Sequence, residues 1–264
     1  MYLGCKKEVA DKRDYKAYVC LTKPTGFPKS YEIDIPEVKD QGFVNSCVAH
    51  SLASFLEETY KDGGNLKFST GFIYGYRPVG YSQDQGMFPR QAIKTLLHVG
   101  DVPREKFDFN EEMPDIKYKV ESKFEELKDI AEIYKIHSYA RIYDKYEIMR
   151  VLYGDVTVPI SIPVYNYLDY DKQTYVVKMP EGECQGYHMM LIVGWNEKGY
   201  IVQNSWGESW GNKGRIILPY DYPLDSAWAI STDSNSVYTY TTMWQKLYTL
   251  ILALINRLKI YFQK

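Results

Sequence analysis

An α+β fold, with helices first and strands second, is what this sequence predicts. Apolar residues recur at helical spacing in four stretches before Gly154, the first carrying Val48, Leu52, Phe55 and Leu56. After Gly154, short strand-like apolar runs follow one another closely. The two halves should close on each other, and the cleft between them is where a ligand site would fall.

Taken in order, residues 1–40 are polar and carry Pro24, Pro28 and Pro36, which predicts an extended arm. A strap lying across the fold is the simpler reading of that arm, ahead of a regulatory segment. Its start, Met1 to Glu8, has no basic-then-apolar signal pattern, so a cytoplasmic protein is expected. Residues 46–60 read as a buried helix with Asn45 or Ser46 as N-cap and Glu57 and Glu58 on its outer face. It should end near Lys61-Asp62-Gly63-Gly64, before an aromatic, turn-rich stretch at 68–83. A second helix spans Pro89–Val99, closed by Gly100. Residues 116–134 place Val120, Phe124, Leu127 and Ile130 in helical register beneath a charged, solvated face. A strand near 133–142 and a helix at 144–153 follow. Strands are then expected at Val156–Tyr165, Tyr175–Lys178, His188–Trp195, Tyr200–Asn204 and Gly214–Pro219, with Asn196–Gly199 as a four-residue hairpin loop.

Past residue 240 the pattern is helical again. Trp244, Leu247, Leu250, Ile251, Leu254, Leu258 and Phe262 share one face of a helix over 243–262, and Lys246, Arg257, Lys259 and Lys264 supply its charge. Only ten residues, Leu247 to Asn256, lie between charges, which is short of the roughly 20 needed to span a bilayer. Such a helix packs on its own domain or a twin chain, or lies on an anionic membrane surface as a peripheral anchor.

Lys plus Arg number 32 and Asp plus Glu 34, so a net charge of −2 gives no basic footprint for nucleic acid. The cysteines at 5, 20, 47 and 184 show neither a CxxC pair nor metal-ligand spacing, and no cofactor is expected. With one of them reserved for chemistry, an odd number remains, which fits free thiols in a reducing compartment.

That reserved cysteine is Cys47. In the first turn of its helix, unpaired N–H groups and the macrodipole favour a thiolate. A lone buried cysteine is more often inert, but His188 stands in an apolar strand and Asn204 follows sixteen residues later. Gln41 precedes the cysteine by six residues, and Trp206 lies two beyond the asparagine. Together these supply a nucleophile, a base, a residue to orient the base and an oxyanion donor. His50, three residues after Cys47, is a rival base that the first turn would point inward. Cys184, four residues before His188, is an ordinary loop cysteine or a redox-sensitive thiol.

At these residues the chain resembles the papain-like cysteine peptidases over roughly residues 30–235. Gln41, Cys47, His188 and Asn204 fall on the family's four functional positions in order, and Asn204-Ser205-Trp206-Gly207 with Trp210-Gly211 is the most specific piece. Two departures stand out: Val44-Asn45-Ser46-Cys47-Val48 lacks the family's disulfide cysteine and the aromatic after the nucleophile. The lead-in to Gln41 looks more like bacterial or phage members than secreted cathepsins.

The resemblance implies a two-lobed papain-like fold over 41–235, with a helical lobe at about 41–115 and an antiparallel β lobe at about 133–235. It implies a cysteine endopeptidase acting on proteins or peptides through a thioester, with a thiolate–imidazolium pair at rest. It places Gly86 where the substrate backbone binds, and Met87 and Phe88 at the wall of an apolar pocket that Tyr187 narrows, unless these two are simply core. Trp206 would shield the His188–Asn204 bond. Two alternatives stay open: a catalytically silent binding module, or a transpeptidase or amidase using the same acyl-enzyme.

Overall fold

The computed structural model describes residues 3–9, 11, 14, 26–34, 37–61, 66–77, 86–108 and 116–232. The first long helix, α1 (Cys47–Thr59), forms where the apolar period places it. It is buried on all sides, and the outer-face expectation for its two glutamates is overturned: Glu57 and Glu58 are buried too. The acids survive burial because cations meet them. Lys39 reaches Glu57 at 2.7 Å and Lys61 reaches Glu58 at 3.0 Å, while the Phe68 amide also donates to Glu57. Ser46 stands at the N-cap but does not cap; its hydroxyl pairs with His50 Nδ1 at 3.1 Å.

A short helix, α2 (Thr70–Gly75), occupies the aromatic stretch that looked like turns. Ser69 starts it by accepting the Phe72 amide at 3.0 Å, a side-chain cap that offsets an orphan donor. Next come α3 (Pro89–His98), opened by proline and followed by Gly100 at φ 91°, and α4 (Ile116–Ile133). Strand β2 (Ser138–Arg141) and helix α5 (Lys145–Tyr153) follow, the latter capped by Asp144 on the Tyr146 amide.

The sheet is antiparallel. Its strands are β3 (Val158–Val164), β4 (Gly186–Asn196), β5 (Gly199–Gln203), β6 (Arg215–Leu218) and β7 (Ser226–Ser231), joined by β2 in the order β2-β7-β3-β4-β5-β6. All seven residues of β3 are buried, because neighbours pair with it on both edges while α1 and α5 pack against it. Strand β7 was absent from the sequence expectation. Tyr175–Lys178, by contrast, is no strand: Tyr175 sits at φ 57° and only single bridges form, such as Val176 with Ile217. The β4–β5 loop is also tighter than expected. Asn196 still pairs with Gly199, and Asn196 Oδ1 accepts the Lys198 amide at 2.8 Å, leaving two residues to turn.

Part of the N-terminal arm is a strap. Tyr31–Glu32 forms β1 against Gly194–Trp195 of β4, and Trp195 Nε1 donates to the Pro28 carbonyl at 3.0 Å. Tyr31 stacks on Trp195 with ring centroids 5.0 Å apart. Gly194 has to be glycine here, since a Cβ would run into the Tyr31 carbonyl. The helix expected at 243–262 lies outside the described residues, as does Cys20.

Candidate active site

Cys47 is the first residue of α1, and α1 packs against β4, which carries His188. The backbone of Met189, next to His188, hydrogen-bonds the Cys47 sulfur. Asn204 follows β5, and its Oδ1 takes the hydrogen bond from His188 Nε2 at 2.7 Å. That fixes the ring and its tautomer. His188 Nδ1 is then left buried with no hydrogen-bond partner, a vacancy that a buried polar atom tolerates only at a cost. Trp206 lies over the imidazole with centroids 4.5 Å apart, and Trp210 packs its edge on Trp206 at 5.0 Å. Water is thereby kept off the His188–Asn204 bond.

Gln41 is fully buried beside them. Its Nε2 donates to the Val44 carbonyl at 2.8 Å and its Oε1 accepts from the Ser205 hydroxyl at 2.7 Å. The Ser205 amide in turn donates to Asn204 Oδ1 at 2.8 Å. Ser205 thus connects the glutamine to the asparagine. It stands inside the Asn204–Gly207 motif, but a serine's role shows only once its partners are known. His50 is buried and bonded back to Ser46.

Burial sets the charge state. Desolvation pushes the Cys47 thiol up to about 12, against hydrogen bonds from the backbone of Met189 and Gly4 that pull it down. Desolvation also lowers His188 to about 4, with the Asn204 bond opposing it. Both groups are therefore neutral in this form. The resting thiolate–imidazolium pair expected from sequence is not what this enclosed site favours, because burial penalises both charges.

The enclosing element is the beginning of the chain itself. The Met87 amide donates to the Gly4 carbonyl at 2.8 Å, Lys6 N donates to the Met87 carbonyl at 2.8 Å, and Cys5 N donates to the Tyr187 carbonyl at 3.3 Å. Residues 3–9 thus lie between Met87 of the helical half and Tyr187 of the sheet half. Gly86, at φ 69°, makes room for the Gly4 carbonyl, and Gly4 lies so close to Asn45 that a Cβ would collide with its carbonyl. Lys6 sits over the Phe88 ring at 5.5 Å and Lys7 over Tyr187 at 5.9 Å. All four residues expected to bind substrate, Gly86, Met87, Phe88 and Tyr187, touch this arm. Residues 26–34 pair along β4, whereas residues 3–9 lie between Met87 and Tyr187. Cys184 is an exposed free thiol whose sulfur bonds the Gly186 carbonyl.

Residues 27–223 match the model of the papain family of cysteine proteases. The chain belongs to that family. An uncharacterized peptidase C1-like protein of Acanthamoeba polyphaga mimivirus is 30% identical over 207 residues, 70% of this chain and 65% of its own length. Cathepsin K of Mus musculus is 26% identical over 196 residues, covering 70% of this chain and 56% of its own. The chain thus spans less than two thirds of these relatives. Among solved structures, xylellain, a cysteine protease from Xylella fastidiosa, superposes with TM-score 0.77 at 24% identity over 88% of this chain and 96% of that one. Procathepsin B from Trypanosoma congolense gives 0.66 at 17% identity over 87% of each. The papain-like fold, mixing helices with an antiparallel sheet, follows from these likenesses.

Proposed function

We propose that the chain is a cysteine endopeptidase hydrolysing peptide bonds through Cys47, His188, Asn204 and Gln41, and that the form described here is latent. The observation that carries this is the imidazole of His188, clamped by Asn204 at 2.7 Å through one nitrogen with the other left unbonded, on a strand whose next residue, Met189, bonds the Cys47 sulfur. With the arm out of the cleft, water and substrate reach the site and the penalty on charge falls. His188 Nδ1 then takes the Cys47 proton, and the sulfur attacks the peptide carbonyl. The Cys47 amide and the Gln41 side chain stabilise the oxyanion, His188 protonates the leaving amine, and water cleaves the thioester. Asn204 keeps the ring aligned, and Trp206 keeps its bond dry.

Digestion of a peptide library followed by mass spectrometry tests this, since it separates hydrolysis, ligation and silence. Cys47→Ala should abolish product, and a thiol alkylator should do the same while EDTA leaves turnover intact. Activity removed by EDTA and resistant to alkylation would sink the assignment. New peptide bonds in place of free acids would make it a transpeptidase.

A further inference from the structure

Beyond Met87 the arm reaches a pair of arginines, one from each half of the molecule. Arg90, at the start of α3, holds Asp14 through a fork, Nε at 2.8 Å and Nη2 at 2.6 Å. Its Nη1 lies 2.9 Å from Glu8, and its backbone amide donates to the same carboxylate at 2.7 Å. Arg141, on β2, ion-pairs with Asp14 at 3.9 Å and donates from Nη2 to the Asp225 carbonyl at 2.6 Å. Its Nη1 has no hydrogen-bond partner although the residue is only 7% exposed. Both guanidinium groups lie on Trp228, at 5.5 and 5.6 Å from its ring.

Two cations on one indole repel each other, and leaving them unpaired in so buried a place is costly. Glu8 and Asp14 supply the missing charge, and their side chains are 1% and 4% exposed. When the arm leaves the cleft, both carboxylates leave with it. What remains is a pair of guanidinium groups at the edge of the groove, with a helix N-terminus behind them and the Asp225 carboxylate, which now accepts the Glu8 amide at 2.9 Å, beside them. Gly4 lies at the nucleophile, and Glu8 is four residues on, about 13 Å away at the extended rise of 3.3 Å per residue.

We infer that Arg90 and Arg141 form a subsite for acidic side chains of the substrate peptide, with Glu8 and Asp14 as its resident occupants. The subsite receives the fourth residue from the scissile bond on the Met87 side, in the place of Glu8, and an acidic neighbour of it in the place of Asp14. Its role in turnover rests on the peptidase reading, while its affinity for acidic peptides does not. The favoured substrates are then proteins with an acidic run near the cut.

The test uses the full chain with Glu8→Gln and Asp14→Asn, which loosens the arm and keeps both arginines. Two fluorogenic ten-residue peptides, identical except for Glu or Gln at those two positions, are compared by kcat/KM. The acidic peptide should be preferred by about tenfold or more, as one charge-assisted fork and one further charge-assisted pair imply. Adding Arg90→Gln should bring the ratio towards one. A ratio near one with both arginines present, or one unmoved by Arg90→Gln, overturns the inference. The same peptides are titrated by fluorescence anisotropy into the loosened chain carrying Cys47→Ala. Tighter, Arg90-dependent binding of the acidic peptide without cleavage by the parent would retain the subsite and remove the peptidase. Equal cleavage and equal binding of both peptides would do the reverse. Should Arg90→Gln fail to fold, Arg90→Lys keeps the charge and loses the fork, and must still lower the ratio.

Discussion

Ser205 connects the two sides of the site: its hydroxyl holds Gln41 and its amide shares Asn204 Oδ1 with His188. Gln41→Ala should lower kcat by about 100- to 1,000-fold with a smaller change in KM, the signature of a lost oxyanion donor. Ser205→Ala should fall in the same direction by roughly tenfold, since it loosens a positioning contact of about 1 kcal/mol and removes no reacting group. Steady-state kinetics on one fluorogenic peptide distinguishes the two, and a Ser205→Ala loss confined to KM would argue against the positioning role. Cys47, His188, Asn204 and Gln41 could be picked out in the sequence because their types, order and spacing are rarely met together. Ser205 and Arg90 could not, because each acts through partners more than 75 positions away. The charges of Cys47 and His188 were also hidden, since burial by the arm is a three-dimensional fact.

Among the elements, helices with long apolar periods, α1, α3, α4 and α5, stand where periodicity put them. The short ones were missed for a physical reason. α2 depends on one serine cap, and β7, with its two serines and two alanines, becomes a strand only by pairing with β2 and β3. The composition of the arm predicts an extended segment, but nothing in it shows that residues 3–9 lie between Met87 and Tyr187. Its docking depends on the absence of side chains at two glycines. Gly4→Ala should therefore expel it, because the new methyl meets the Asn45 carbonyl. With the arm docked, a thiol held up at about 12 reacts slowly with iodoacetamide at pH 7, and faster at each higher pH. Gly4→Ala should raise the neutral-pH labelling rate at Cys47 by tenfold or more, on the order of one pKa step or greater. Peptide mapping by mass spectrometry reads the labelled site, and an unchanged rate would mean that the arm does not control access.

For the molecule as a whole, pH stability follows from two buried imidazoles. His50 and His188 are both lowered to about 4 by desolvation. Each contributes stability that is fully present above the unfolded value of about 6.5 and is lost as pH falls towards 4, about 3 kcal/mol per histidine. Melting temperature should drop steeply between pH 6.5 and 4, and His50→Gln should flatten part of that slope in a calorimetric series. The docked arm and the strap at 26–34 belong to one polypeptide, and that has a consequence for dose. A tethered occupant acts at an effective concentration on the order of millimolar, whatever the amount of protein in solution. Diluting the protein does not change that occupancy, and a micromolar peptide competes at a disadvantage of about a thousandfold. A single cut between the two segments would turn the occupant into an ordinary diffusible inhibitor, lost by washing.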